Sequence, residues 1–424
     1  MAKENAKEKI GNLRIRGGRV ITPLEERFTD LWLKDGKILG LADTFATLQG
    51  QSKDAAGLEQ SSFVDFDATG LYVTPGLIDL QMNGGPGCDL WQDPSESDLN
   101  NMRQDLASHG VTSFLPTLIT DDLVHMRKNI DFLTAQGASR EPHMDAAGDK
   151  NSTAMARMLG LHLEGPCLSP QRPGVHPPQH IQPFTVDVLK RIVTPAVSLM
   201  TAACEGDSDG VAIAYLRENG VTASLGHSNA TLEEANAAFD RGVTLMTHTF
   251  NALPPLHHRN PGAVGAALLR DDVVCCLIAD GLHLSPQACA LILKMKTAQR
   301  AVLVTDRASV GTTQGGLVGS SITLEQAVQN ICRWGLADFT QAIAMATINA
   351  ARAVGLGEKI GAIKPGLPAD LAFFNIENLE LVAAMVGGRQ AVVEAAPASN
   401  RDNGGSKSNA KADGKAKTSK AASH

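Results

Sequence analysis

The chain has 424 residues, enough for a large core and two to three domains' worth of sequence, although a single barrel can absorb most of that length. A formal net charge of −7 and an aromatic content of 4% argue against a polyanion-binding or base-stacking surface, so no nucleic-acid partner is expected. No run approaches the roughly eighteen apolar residues of a membrane span. The first residues, MAKENAKEKIGNLRIRGG, are charged and lack the apolar core of a signal peptide, which points to a cytoplasmic protein. The seven cysteines are odd in number and form no C-x-x-C, a pattern of reduced thiols. Cys275 and Cys276, in the apolar run VVCCLIAD, read as small buried hydrophobes.

From residue 11, GNLRIRGGRVITPLEERFTDLWLKDGKILGL has strand-like segments punctuated by turn signals at GG, PLEE and KDGK. Gln49–Ser62 is poor in large apolar side chains and reads as a surface insertion, as does Ser139–Ala156. The middle of the chain repeats one grammar: a helical pattern ends in Gly and an apolar run follows, as in DLASHG-VTSFLPTL, YLRENG-VTASLGHS and AFDRG-VTLMTHTF. Gly suits the position just past a helix end, and the β-branched Val-Thr pair suits strand entry. Eight such runs can be counted: GLIDLQMNG, TSFLPTLI, LGLHLEG, VSLMTAACE, TASLGHS, TLMTHTFN, VCCLIADGLH and AVLVTDRA.

Continuous apolar runs alternating with helices predict parallel strands in a TIM-like (β/α)8 barrel, with a doubly wound sheet as the alternative. IGAIKPGLPADLAFFN and LVAAMVGGRQAVVEA near the end resemble the N-terminal pieces. Residues 12–72 and 357–395 are therefore expected to pair into a small β-sandwich beside a barrel spanning 73–356. The tail 396–424 is nearly free of large apolar groups and is expected to be disordered.

Most of the eight runs finish on a group able to bind a metal, move a proton or hold an anion. In a barrel those strand ends share one mouth. The third run ends at Glu164, the fifth at His227 and the sixth at His248. One carboxylate and two imidazoles are a common catalytic zinc set that leaves a position for water. The eighth run ends at Asp306, a carboxylate placed to take a proton from water and return it to a leaving amine. The seventh offers Asp280, read as structural, and His283, read as a substrate contact. After His248 the chain runs on through Asn251, His257, His258 and Arg259 to a Pro-Gly stop, a segment rich in groups that can hold an anion.

With these residues in place, the sequence closely resembles the N-acetylglucosamine-6-phosphate deacetylase family of the amidohydrolase superfamily. The matching motifs are PGLIDLQMNG, GLHLEGP, GVHPPQ, SLGHSNAT, THTFNALPPLHHRNPG, IADGLH and LVTD, in order from about residue 73 to 306, with GAIKPGLPADLAFF matching a C-terminal β segment. The resemblance implies a metal-dependent barrel with a small β-sandwich. It assigns metal ligation to Glu164, His227 and His248, the acid/base role to Asp306, and polarisation of the acetyl carbonyl to His176. It places Asn251, Ala252, Arg259 and His283 at the sugar phosphate. The arginine at the position of Arg259 can reach across a dimer interface in this family, so a homodimer is implied.

Two departures stand out. Many amidohydrolases end the first strand with His-x-His, whereas this chain has Gln81-Met82-Asn83. Amides are poor zinc ligands, which points to one divalent ion, zinc first and iron or another divalent metal as alternatives. The segment after LVTD is also short, reaching Gly319-Ser320-Ser321 within TDRASVGTTQGGLVGSS. Arg307 follows Asp306 directly, and its charge is expected to lower the pKa of that carboxyl. The expected function is hydrolysis of N-acetylglucosamine 6-phosphate to glucosamine 6-phosphate and acetate. A degenerate sugar-phosphate binder and an amidohydrolase for another N-acylated substrate stay open.

Overall fold

The structure, a computed structural model, describes residues 11–22, 25–141, 154–309, 312–313, 316–391 and 393. The expected disordered tail 396–424 and most of the expected insertion Ser139–Ala156 lie outside these residues. The N-terminal part is β-rich: β1 (Asn12–Arg16), β2 (Arg19–Ile21), β3 (Glu26–Phe28), β4 (Leu31–Lys34), β5 (Lys37–Leu41), helix α1 (Phe45–Gln51), β6 (Phe63–Asp67) and β7 (Leu71–Pro75). Gln49–Ser62 lies at the surface, as expected. It holds the end of α1 and two single-turn helices, and its one buried residue, Ala55, packs with Leu58 in a small cluster with Trp32 and Phe63. Thr44 caps α1 by accepting from the Thr47 N–H.

The barrel starts at β8 (Leu77–Met82), followed by a tight hairpin of β9 (Gly84–Gly85) and β10 (Cys88–Asp89). Then come α2 (Glu96–Ser108), β11 (Val111–Ile119), α3 (Leu123–Ala135), β12 (Arg157–Met158), β13 (Leu161–Glu164) and α4 (Val186–Ile192). The alternation continues through β14 (Val197–Ala202), α5 (Val211–Glu218), β15 (Thr222–Leu225), α6 (Leu232–Asp240), β16 (Leu245–Met246) and α7 (Gly262–Leu269). It ends with β17 (Val274–Leu277), α8 (Pro286–Lys296) and β18 (Ala301–Leu303). A small hairpin of β19 (Thr312–Thr313) and β20 (Gly316–Leu317) leads to α9 (Leu324–Arg333), α10 (Phe339–Met345) and α11 (Ile348–Ala353). The chain then returns to the β-rich part with β21 (Leu371–Asn375), β22 (Leu381–Val386) and β23 (Arg389–Ala391).

The eight sequence runs each supply one barrel strand, in the order β8-β11-β13-β14-β15-β16-β17-β18, with β12 as an extra partner of β11. The ring is closed by the segment after β18. The Asp306 N–H donates to Gln81 O at 2.9 Å, and the Asn83 N–H donates to Arg307 O at 2.8 Å. That closure excludes the doubly wound alternative. The helix-Gly-strand grammar is also visible: Gly110, Gly220 and Gly242 sit at φ 75°, 67° and 114°, and the Val221 N–H reaches back to Leu216 O at 2.9 Å.

Strands from both chain ends build two sheets beside the barrel, β5-β4-β1-β6 and β23-β22-β21-β7-β2-β3. A buried ion pair between Arg157 at the barrel rim and Asp370 ties the larger sheet to the barrel, and Asp370 also accepts from the Gly387 N–H at 2.7 Å. The seven cysteines are unpaired, with Cys275 and Cys276 in the barrel core. No helix of the described residues is long and apolar enough to cross a membrane.

Candidate active site

Glu164 ends β13, His227 follows β15 by two residues and His248 follows β16 by two. The short strand spacing of the barrel brings them together. Glu164 Oε1 lies 3.1 Å from His227 Nε2 and 3.0 Å from His248 Nε2, and the two Nε2 atoms are 3.1 Å apart. Among the described residues this is the one group of three such donors whose ligand atoms lie within 4.8 Å of one another. All three side chains are buried.

The tautomer of His227 tests whether a cation fits. Its Nδ1 is 3.0 Å from the Arg172 carbonyl, which can only accept, so the ring proton sits on Nδ1 and Nε2 carries a lone pair. That lone pair faces a carboxylate oxygen and a second imidazole nitrogen at hydrogen-bond distance. The His227 lone pair and the Glu164 carboxylate oxygen are thus two acceptors 3.1 Å apart, a contact that a cation between them relieves, and the set of one carboxylate and two imidazoles suits a divalent ion of the zinc type. Burial alone would raise the Glu164 carboxyl, but it is held well below the usual range, with the Nε2–H of His176 first among the groups that lower it.

Asp306 lies just beyond β18, in the segment that closes the barrel. Its Oδ1 accepts from the Gln81 side-chain amide at 2.9 Å and the Asn83 side-chain amide at 2.5 Å. The Gln-x-Asn pair thus holds a carboxylate by donating to it, which leaves Oδ2 as the unencumbered oxygen. Burial, with the nearby Glu164 charge, pushes the Asp306 carboxyl up to about 8. The expectation that Arg307 lowers this pKa is not met. Its guanidinium turns away to Asp105 on α2, at 2.8 Å.

His176 sits in the loop after β13. The backbone N–H of Thr120 donates to its Nδ1 at 3.1 Å, so the ring proton is on Nε2, which lies 3.9 Å from Glu164 Oε1. Gly174 explains why this loop can pass so near: its φ is +56°, and an added Cβ would lie 3.0 Å from His227 Cε1. His283 Nδ1 donates to Asp280 Oδ2 at 2.6 Å, which fixes the ring and leaves Nε2 as its other hydrogen-bonding atom. Asn251 donates to the His248 carbonyl at 3.2 Å. His227, His248, Ala252 and Asp306 have φ of 48°, 28°, 51° and 51°, so left-handed backbone is concentrated where the side chains converge.

Eight of the nine residues singled out from the sequence line one cavity of about 550 Å³: Glu164, His176, His227, His248, Asn251, Ala252, His283 and Asp306. Arg259 does not. It is exposed on the loop beside His257 and His258, whose rings stack with centroids 4.2 Å apart.

Three features of this region escaped the sequence reading. Thr120 also sets its hydroxyl 3.0 Å from His176 Nδ1. Asp79, fully buried in β8, accepts from the Thr305 hydroxyl at 2.5 Å and the Thr305 N–H at 3.2 Å, and burial pushes its pKa up to about 6. Beneath the three candidate ligands runs a chain of polar groups: His162 Nε2 to Thr201 Oγ1 at 2.8 Å, Thr201 to Thr247 at 2.7 Å and Thr247 to Ser224 at 2.6 Å. A carboxylate and hydroxyls inside apolar strand runs were the available signal.

The amidohydrolase family model matches residues 72–395. The chain belongs to the amidohydrolase family. It is similar to N-acetylglucosamine-6-phosphate deacetylase of Bacillus subtilis (strain 168), with 30% identity over 346 residues covering 76% of this chain and 85% of that protein. It is 31% identical over 324 residues to N-acetylgalactosamine-6-phosphate deacetylase of Escherichia coli O157:H7, covering 70% of this chain and 82% of the other. Among solved structures, a mutant N-acetyl-D-glucosamine-6-phosphate deacetylase of Mycobacterium smegmatis in complex with N-acetyl-D-glucosamine 6-phosphate superposes with a TM-score of 0.76 at 25% identity, covering 91% of this chain and all of that one. This amidohydrolase shares with that structure both its barrel and its flanking sheets over nearly the whole length.

Proposed function

We propose that this amidohydrolase removes the acetyl group of N-acetylglucosamine 6-phosphate, giving glucosamine 6-phosphate and acetate. The observation that carries the reading is the convergence of Glu164 Oε1, His227 Nε2 and His248 Nε2 in one cavity with Asp306 and the Nε2–H of His176. Those three ligand atoms would hold one divalent ion, zinc first and iron as an alternative. When bound, the ion supplies Lewis acidity toward the amide oxygen and acidifies water.

The chain's own groups do the rest. Asp306 takes the proton of the attacking water on Oδ2, while Gln81 and Asn83 fix its other oxygen. The Nε2–H of His176 donates to the acetyl oxygen as negative charge develops there. Asp306 then gives its proton to the departing amine. Asn251, Ala252 and His283 line the same cavity, where they would hold the sugar phosphate. Arg259, exposed and outside the cavity, would serve the phosphate of a neighbouring subunit, which makes a homodimer part of the proposal. Seven unpaired cysteines fit a reducing, cytoplasmic setting.

The test is acetate release by purified, metal-loaded protein. N-acetylglucosamine 6-phosphate should be turned over well ahead of the unphosphorylated sugar, and Asp306→Asn should lower kcat by about 10²- to 10⁴-fold. Equal rates with and without phosphate, or a fully active Asp306→Asn, would overturn the reading. Similarity to an N-acetylgalactosamine-6-phosphate deacetylase puts the galacto epimer in the same assay as the second candidate substrate.

A further inference from the structure

The cavity wall carries one large aromatic surface. Among the described lining residues Trp91 is the only Trp, Tyr or Phe, in a chain with three tryptophans. The other two lie elsewhere: Trp32 is fully buried beside α1, and Trp334 caps the end of α9. Trp91 itself is half-buried. Its indole N–H has no hydrogen-bond partner among the described residues. A tryptophan packed for stability normally hides its ring and pairs its N–H.

The backbone that presents it is held firmly. The neighbouring Leu90 is fully buried in the barrel core, and its N–H donates to Asn83 O at 2.9 Å. Asp89 clamps across the mouth, accepting from the Ser309 N–H at 2.8 Å and the Ser309 hydroxyl at 2.5 Å. The Gln92 N–H closes the turn on Asp89 O at 3.0 Å. One end of this turn is therefore tied to Asn83, whose amide holds Asp306, and the other to the segment just past Asp306. An aromatic plane fixed to the frame of the acid/base residue is preorganised to orient whatever lies against it.

We infer that Trp91 is the binding platform for the pyranose ring of the substrate, its face packed on the ring's C–H groups and its N–H free for a sugar hydroxyl. A pyranose has hydroxyls around its edge and C–H bonds on its faces, and the electron-rich face of an indole attracts C–H bonds. Glu164, His176, His227, His248 and Asp306 supply polar contacts, but none of them offers a flat apolar surface. Trp91 supplies it. The inference rests on the sugar-phosphate reading of this cavity and adds the element that recognises the ring rather than the phosphate or the amide.

Two measurements test it on the metal-loaded full chain. Titration with N-acetylglucosamine 6-phosphate should change the intrinsic fluorescence of wild type, and that change should vanish in Trp91→Phe. Steady-state kinetics should show KM raised roughly 5- to 50-fold in Trp91→Ala with kcat within about threefold, and a smaller rise in Trp91→Phe, which keeps a ring. The near-isosteric Phe variant keeps the fold if the Ala variant does not, and its lost fluorescence change then carries the test. Wild-type KM in both variants, or a fluorescence change that persists in Trp91→Phe, overturns the platform while leaving the deacetylase reading intact. A wild type that neither binds nor hydrolyses the sugar phosphate overturns both.

Discussion

At the scale of single residues, what the chain does is written in hydrogen-bond direction. His176 can donate into the cavity only because its Nδ1 is occupied by the Thr120 N–H at 3.1 Å, and His227 can offer Nε2 only because its Nδ1 proton is spent on Arg172 O at 3.0 Å. Two substitutions separate these effects. His176→Gln should lower kcat by about 10²-fold or more through loss of the donor at the developing oxyanion. Thr120→Val keeps the backbone donor that sets the tautomer and loses one hydroxyl, so kcat should fall by less than about tenfold with KM nearly unchanged. A Thr120→Val variant as impaired as His176→Gln would show that the hydroxyl, not the backbone, controls the ring. The identities of Glu164, His176, His227, His248 and Asp306 were legible in the sequence because each sits at the end of an apolar run or in a distinct motif. The tautomers were not, since Thr120 is 56 positions from His176 and meets it only in three dimensions. The orientation of Arg307 was misread for the same reason: adjacency in sequence to Asp306 says nothing about Asp105 across the barrel wall.

At the scale of elements, the loops after the strands carry the chemistry and the outer helices hold them in register. The loop bearing His176 passes His227 through Gly174, so Gly174→Ala forces left-handed backbone on a residue whose Cβ would lie 3.0 Å from Cε1 of His227. The expected outcome is weaker metal binding and lower kcat together, read by metal titration and by assay, with stability reduced by about 1 kcal/mol in a denaturant melt. On the outside, α2 and α9 are joined by His109 Nδ1 on Glu325 Oε1 at 2.7 Å, beside the Asp105–Arg307 pair. Burial opposes the charged ring of His109, but Glu325 and Asp105 outweigh it and hold its pKa above the ordinary value. A pKa raised in the folded state stabilises fully below the unfolded value of about 6.5 and stops doing so as pH rises through the folded value. The Tm advantage of wild type over His109→Gln should therefore shrink as pH rises above about 6.5. An advantage that stays constant or grows would contradict the charged pairing. Element existence was legible from the eight apolar runs and the helix-ending glycines. The surface character of Gln49–Ser62 was legible too, but not the contact of Ala55 and Leu58 with Trp32 and Phe63, which are remote from it or flank it in sequence and meet it only in the fold.

At the scale of the whole molecule, a parallel ring of strands converts residues 142 positions apart, from Glu164 to Asp306, into neighbours around one cavity. The barrel and the flanking sheets were legible because apolar runs at regular spacing leave few other architectures. Arg259 is the single predicted phosphate contact that lies outside the cavity within one chain. If it acts across a dimer, Arg259→Ala should raise KM for the phosphorylated sugar, and mixing that variant with an Asp306→Asn variant should restore activity in the mixed dimer. No recovery on mixing would place Arg259 outside the site. The central claim, one divalent ion held by Glu164, His227 and His248, is tested most directly by anomalous diffraction from crystals grown with zinc. The expected result is a single peak about 2.0–2.2 Å from Glu164 Oε1 and from both Nε2 atoms. A peak at Gln81 and Asn83, or none at all among the three ligands, would contradict it.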